Sequence, residues 1–198
     1  MPTSPDSVQG NVMGVRAVFL VGFMAAGKTT VGQELARRLG WDFVDLDTRI
    51  ESREQQTVAA MFRDRGESEF RLVETAALRD LTESLERDTV VALGGGTFAH
   101  TDNRKLLGRW PCVFLEAPLD ELWQRSREEA TKRPLRKDDR AEFARLYEQR
   151  RASYTQATVT VVTSGKDPAS LCAEIERTLQ FQEGTDAAGS SQPPPDHF

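Results

Sequence analysis

Cysteine and histidine are both scarce in this chain, with two of each in 198 residues. Cys112 and Cys172 lie far apart, each in an apolar run. A disulfide framework or a cysteine metal site needs more cysteines or closer spacing. Both are therefore read as small buried hydrophobes in a reducing compartment. His197 falls in a polar tail, so only His100, just after a glycine run, is placed to act, which argues against a catalytic histidine. An excess of positive charge is also missing. The net charge is -5, which speaks against a bulk nucleic-acid binder. An anionic small substrate stays compatible, because local arginines decide that and the total does not. No apolar run approaches the length of a membrane span, and residues 1–10 lack the basic start and apolar stretch of a secretory signal. These absences predict a cytoplasmic protein with neither nucleic acid nor membrane as partner.

The length predicts one domain, large enough to bury a core without staples. Both ends read as loose. Residues 1–12 are rich in Pro, Ser, Asp and Gln, and residues 183–198 in Gly, Ala, Ser and Pro. Neither tail carries enough apolar surface to join a core, which leaves 13–182 as the folded domain. No internal repeat is visible. Within the domain, short apolar runs at 15–21, 43–46, 89–93, 112–115 and 159–162 read as strands. Helical patterns run over 28–39, 58–65, 67–85, 119–127 and 141–153, and a last one is opened by Asp167 as N-cap and Pro168 in the first turn. Strands alternating with helices imply a parallel sheet covered on both faces. Ligands bind such sheets beyond the carboxyl ends of the strands. Segments 22–30, 45–47 and 94–96 all follow strands, so they are expected to converge at one rim.

Gly22-Phe-Met-Ala-Ala-Gly27-Lys28-Thr29 fits the phosphate-loop pattern G-x-x-x-x-G-K-S/T, with the required strand before it and helix after it. Backbone N–H groups of such a loop surround phosphate oxygens at a helix N-terminus. Ala25, Ala26, Gly27, Lys28, Thr29 and Thr30 are the candidate nucleotide-binding residues. Lys28 would reach the β- and γ-phosphates of ATP, and the Thr29 hydroxyl would sit on Mg²⁺. Phosphoryl transfer also needs metal anchoring and an in-line acceptor. Asp45-Leu46-Asp47 ends the second strand in this reading, where alternation throws both aspartates to one side. That suits one metal-side and one substrate-side carboxylate. The plainer reading is a solvated strand end that caps the next helix.

Further along come Gly66-Glu67-x-x-Phe70-Arg71-x-x-Glu74, then Gly94-Gly95-Gly96, Arg133-Pro134-Leu135 and Arg150-x-x-x-Tyr154. Together with the loop and Asp45-Leu46-Asp47, this ordered set resembles the shikimate kinases and spans residues 15 to 180. The resemblance implies a P-loop three-layer α/β/α sandwich like that of the nucleoside monophosphate kinases, with a five-stranded parallel sheet in the order 2-3-1-4-5. It implies phosphorylation of shikimate by ATP, with Mg²⁺, by a monomer. By match, Asp47 binds the substrate hydroxyls and orients the 3-hydroxyl, and Arg71 and Arg150 clamp the carboxylate. Gly94, Gly95 and Gly96 bring backbone N–H groups against the substrate. Arg133 swings over the ATP phosphates on a lid at 128–140, and Asp45 serves the metal shell through water. Lys28, Asp47 and Arg133 are then the catalytic set.

Elementary chemistry agrees with those roles. Arginine is the planar bidentate partner of a carboxylate, and Glu74, three residues on, shares a helical face with Arg71. A glycine run lets backbone approach a ligand closely, and the charged stretch 128–140 suits a water-excluding lid. Each residue also has a plainer reading: a surface ion pair for Arg71, solvated faces for Arg133 and Arg150, an ordinary turn for the glycines. The chain departs from the pattern at Ala25, where many relatives carry glycine, and at Arg136, where an apolar residue is common. The adenine end is fixed only loosely, with Arg125 and the turn 165–168 as candidates. Two other functions remain open from sequence: a kinase for another hydroxy acid such as gluconate, and a nucleotide-binding module without turnover.

Overall fold

The computed structural model describes residues 16–130 and 139–180. The two expected tails, Arg133, Arg136 and most of the expected lid lie outside them. Strand β1 (Ala17–Val21) is apolar throughout and wholly buried, as a strand covered on both faces must be. Helix α1 (Lys28–Leu39) follows and ends at Gly40, whose left-handed backbone returns its N–H to Ala36 O. Next come β2 (Asp42–Asp45), α2 (Leu46–Glu54), α3 (Val58–Arg65) and α4 (Glu67–Glu83). Strand β3 (Thr89–Ala92) leads through a 3-10 turn (Thr97–Ala99) into α5 (Thr101–Leu107). The chain closes with β4 (Cys112–Glu116), α6 (Leu119–Ala130), α7 (Arg140–Tyr154), β5 (Val159–Val162) and α8 (Pro168–Leu179).

The five strands pair in parallel in the order β2-β3-β1-β4-β5, as the resemblance implied. The crossover from β1 to β2 runs one way across the sheet, and those from β2 to β3, β3 to β4 and β4 to β5 run the other. Right-handed crossovers therefore place α1 on one face and the later connections on the opposite one. Helix α8 returns to the first face and packs along α1. There Cys172 and Ile175 are fully buried beside Leu35, and Arg38 reaches Glu176 with two bonds of 2.7 Å. Both cysteines are free and buried. Because the chain leaves β1 and β3 toward opposite faces, a crevice opens between their carboxyl ends, which is where such sheets bind ligands.

Two expectations are corrected. Residues 46 and 47 do not extend the second strand. Asp45 is the last extended residue, and its carboxylate accepts the Thr48 N–H at 3.2 Å, capping α2. Leu46 and Asp47 thus form the first helical turn, with Leu46 buried in the core. The plainer reading of that segment, a strand end capping a helix, describes its backbone. The helices expected over 119–127 and 141–153 run further, α6 to Ala130 and α7 from Arg140, capped by Asp139, to Tyr154.

Candidate active site

The loop after β1 is held open by its own backbone and by Lys28. Nζ of Lys28 donates to the carbonyls of Gly22 (2.9 Å) and Phe23 (2.8 Å). Gly27 enters α1 with φ 88°, and Ala25 also takes a left-handed conformation, φ 61°. An alanine there carries a steric cost that glycine lacks. The chain thus makes a left-handed turn at Ala25 despite its departure from glycine. Phe23 points the other way, into the protein, edge-on to Phe143 and Tyr147 of α7 at 4.9 and 5.4 Å between ring centres.

Thr29 and Asp45 meet at the mouth of this loop, the hydroxyl donating to Oδ2 at 2.8 Å. Asp47 lies close behind, half-buried. Burial, then the neighbouring Asp45 and Glu74 carboxylates, push its pKa up to about 6, against the pull of Lys28. The carboxylates are therefore gathered as the sequence implied, although the helix cap brings them together and strand alternation does not.

The three glycines after β3 form the opposite wall, and each faces one of the expected side chains. A Cβ on Gly94 would fall 2.6 Å from Asp47 Oδ1, and one on Gly96 would overlap the Arg71 guanidinium. A Cβ on Gly95 would stand 3.4 Å from Met24 N of the phosphate loop and 3.8 Å from Arg150 Nη1. At 94 and 96 a side chain would force Asp47 or Arg71 to move, whereas at 95 a Cβ would make ordinary contact. Arg71, on α4, donates to Glu74 at 2.8 Å and to Glu67 at 3.0 Å, and its guanidinium lies over the rings of Phe62 and Phe70. Burial alone would lower its pKa, yet the two carboxylates carry it above the ordinary value. Arg150, on α7, donates to Gly95 O at 3.3 Å and lies over Phe23. Tyr154, one turn on, also donates to Gly95 O. The expected pairing of Arg71 with Glu74 is thus present.

On the far side of the loop lies a cavity of about 400 Å³, bounded by Ala25, Gly27 and Thr30, by Arg125 of α6 and by Lys166 and Pro168 before and in α8. Arg125 is held by Glu121 at 2.8 Å. Both segments left as candidates for the adenine end therefore line one space beside the cradle. Arg133 lies outside the described residues. Sequence reasoning missed Phe23, which ties the cradle to α7, and Thr97, which bonds Glu74 at 2.6 Å. The only sequence cue to the second was its place straight after the glycine run. His100 is exposed at the start of α5, with no side-chain cap bond. Among the described residues no group of three or more His, Cys, Asp or Glu side chains could hold a metal by itself, and no helix is long and apolar enough to cross a membrane.

Comparison with known proteins agrees with this geometry. The sequence pattern of the family described as shikimate kinase matches residues 24–180. The shikimate kinase of Geobacter metallireducens is 40% identical over 183 residues, which cover 91% of this chain and 99% of that one. That of Persephonella marina is 38% identical over 162 residues, covering 81% and 97%. Among solved structures, shikimate kinase from Acinetobacter baumannii in complex with shikimate superposes with a TM-score of 0.76 at 32% identity, covering 85% of this chain and 95% of that one.

Proposed function

This chain belongs to the shikimate kinase family, and from that premise we infer how its residues transfer the γ-phosphoryl group of ATP to the 3-hydroxyl of shikimate, giving shikimate 3-phosphate and ADP. The enzyme is a phosphotransferase of the shikimate pathway, which leads to chorismate and the aromatic amino acids. One observation carries the assignment of residues. The Gly94, Gly95 and Gly96 turn touches the phosphate loop at Met24 and, on its other sides, Asp47, Arg71 and Arg150. A phosphoryl donor in the cradle and an acceptor held by those side chains would then be neighbours.

The division of labour follows from charge. Lys28 exchanges its two carbonyl partners for the β- and γ-phosphate oxygens, and the loop N–H groups hold the rest of the phosphate chain. Thr29 and Asp45 offer a hydroxyl and a carboxylate oxygen side by side, the hard donor set that suits Mg²⁺. A metal held there would supply charge neutralisation to the transferring phosphoryl group. Arg71 and Arg150 bind the acceptor's carboxylate, and Asp47 orients its hydroxyl and receives the proton late in transfer. A strong base is unnecessary, because transfer is mainly positioning and electrostatic stabilisation. Arg133 is assigned, by resemblance alone, to the transferring phosphoryl group. Arg125 and Pro168 are assigned to the adenine end of the cavity. Catalysis is placed in a single domain, residues 13–182, acting as a monomer in the cytoplasm.

A coupled ADP-release assay tests the reading. Turnover is expected with shikimate and Mg²⁺, with none above background on gluconate. Equal rates on both acceptors would return the chain to the broader class of small-molecule kinases. ATP binding without turnover on either would make it a nucleotide-binding module.

A further inference from the structure

Glu74 is a buried carboxylate, only 1% exposed. A charge in that position is stable only if its oxygens are hydrogen-bonded. Oε2 accepts from Arg71 Nη1 at 2.8 Å, and Oε1 accepts from the Thr97 hydroxyl at 2.6 Å. Thr97 is itself fully buried and cannot drift. Its N–H donates to Gly94 O at 3.2 Å, and its carbonyl accepts Nδ2 of the buried Asn103 at 2.9 Å. A line of bonds thus runs from Asn103 on α5 through Thr97 and Glu74 to Arg71. Packing alone would be served by valine, so the hydroxyl has a polar task. Gly94 shows what that task is. The position of its missing Cβ lies 2.6 Å from Asp47 Oδ1 and 3.0 Å from Glu74 Oε1. Two carboxylates therefore face each other across one glycine. The proton of Thr97 is the donor that keeps Oε1 in place against that repulsion.

We propose that Thr97 is a positioning residue: its hydroxyl holds Glu74 in the orientation that presents Arg71 to the carboxylate of shikimate. The proposal rests on the clamp role given to Arg71 and extends it by two side chains. Without the hydroxyl, Glu74 turns away from Asp47, and the carboxylate left to Arg71 is that of the exposed Glu67. The loss falls on acceptor binding, because none of the four residues of this line belongs to the phosphate loop.

The test is steady-state kinetics on Thr97→Val and Thr97→Ser, each made in the wild-type chain and in Arg71→Ala. Thr97→Val is expected to raise the shikimate KM about tenfold, as expected for a lost charge-assisted bond acting through a neighbour. The KM for ATP and kcat should stay within about twofold. Thr97→Ser should recover most of the affinity, and Thr97→Val should add nothing once Arg71 is alanine. An unchanged shikimate KM in Thr97→Val, an equal rise for ATP, or the same further rise on Arg71→Ala would overturn the proposal. Should Thr97→Val not fold, Thr97→Ala against Thr97→Ser carries the same contrast, and equal shikimate KM values overturn it. Arg71→Ala alone separates the two levels. If its shikimate KM is that of wild type, the clamp reading fails. If it rises while Thr97→Val does not, only the role of Thr97 fails.

Discussion

The phosphate cradle and the acceptor pocket share a wall but are made differently. The proposed cradle is a run of consecutive residues after β1 that would offer mostly backbone N–H groups, with Lys28 and Thr29 at its end. The pocket draws single side chains from α2, α4 and α7 onto a turn of glycines after β3. The cradle therefore tolerates side-chain change and is sensitive to backbone shape. The pocket depends on a few charges whose orientation is set by residues behind them.

Lys28→Met sharpens this contrast most. It removes the one side-chain cation of the cradle, and turnover should fall by a factor on the order of 10³ or more. Circular dichroism should be nearly unaltered, since the bonds Lys28 donates to Gly22 O and Phe23 O lie in the loop and not within a helix or strand. Arg71→Ala and Arg150→Ala come next. Each should raise the shikimate KM by about 10- to 100-fold, as expected for a charge-assisted bond to a carboxylate, with little effect on the KM for ATP. Wild-type shikimate KM in both variants would break the division between the two regions.

Asp47 sits on the seam, and its effect is read in pH. With its pKa raised to about 6 by burial and by Asp45 and Glu74, kcat/KM should drop about tenfold for each pH unit below that value, since the proton acceptor must be ionised. The stability sign runs opposite to activity. The folded state binds the proton more tightly than the unfolded chain, whose value is near 3.8, so stability is lost as pH rises from about 4 to about 6. Asp47→Asn should abolish the acid limb together with most activity. It should also raise Tm relative to wild type at pH 8 more than at pH 4. The smallest effect belongs to Ala25→Gly. Relief of the left-handed strain, about 1–2 kcal/mol, is partly offset by the greater freedom of glycine in the unfolded chain. A net gain near 1 kcal/mol corresponds to a Tm rise of about 2–4 °C, with a slightly lower KM for ATP.

How much could be read in advance divides along the same line. The cradle was legible because its signal is contiguous and lies between a strand and a helix whose apolar patterns are plain. The inner strands were legible as apolar runs. Helix α2 was not. Its sequence buries only Leu46 and Ile50, one apolar pair in nine residues, and Asp45-Leu46-Asp47 alternates as a strand would. The short α5 was missed for the same reason, since Leu107 and the polar Asn103 are its buried residues. In the pocket, residues of the family pattern could be named, but what stands behind them could not. Thr97 acts on a side chain 23 positions earlier in the sequence, and Phe23 packs on a helix that starts at Arg140. Neither contact leaves a periodic trace.

The joining of α1 to α8 has a mechanical consequence. Thr30 and Val31 at the head of α1 and Pro168 and Leu171 at the head of α8 line the same cavity. Both helices are stitched along their length by Leu35, Cys172 and Ile175, and Arg38 pairs with Glu176 near their far ends. This side of the cavity proposed for the nucleotide is therefore braced as one unit, and any adjustment to a bulkier or slimmer base is expected from the Arg125 side.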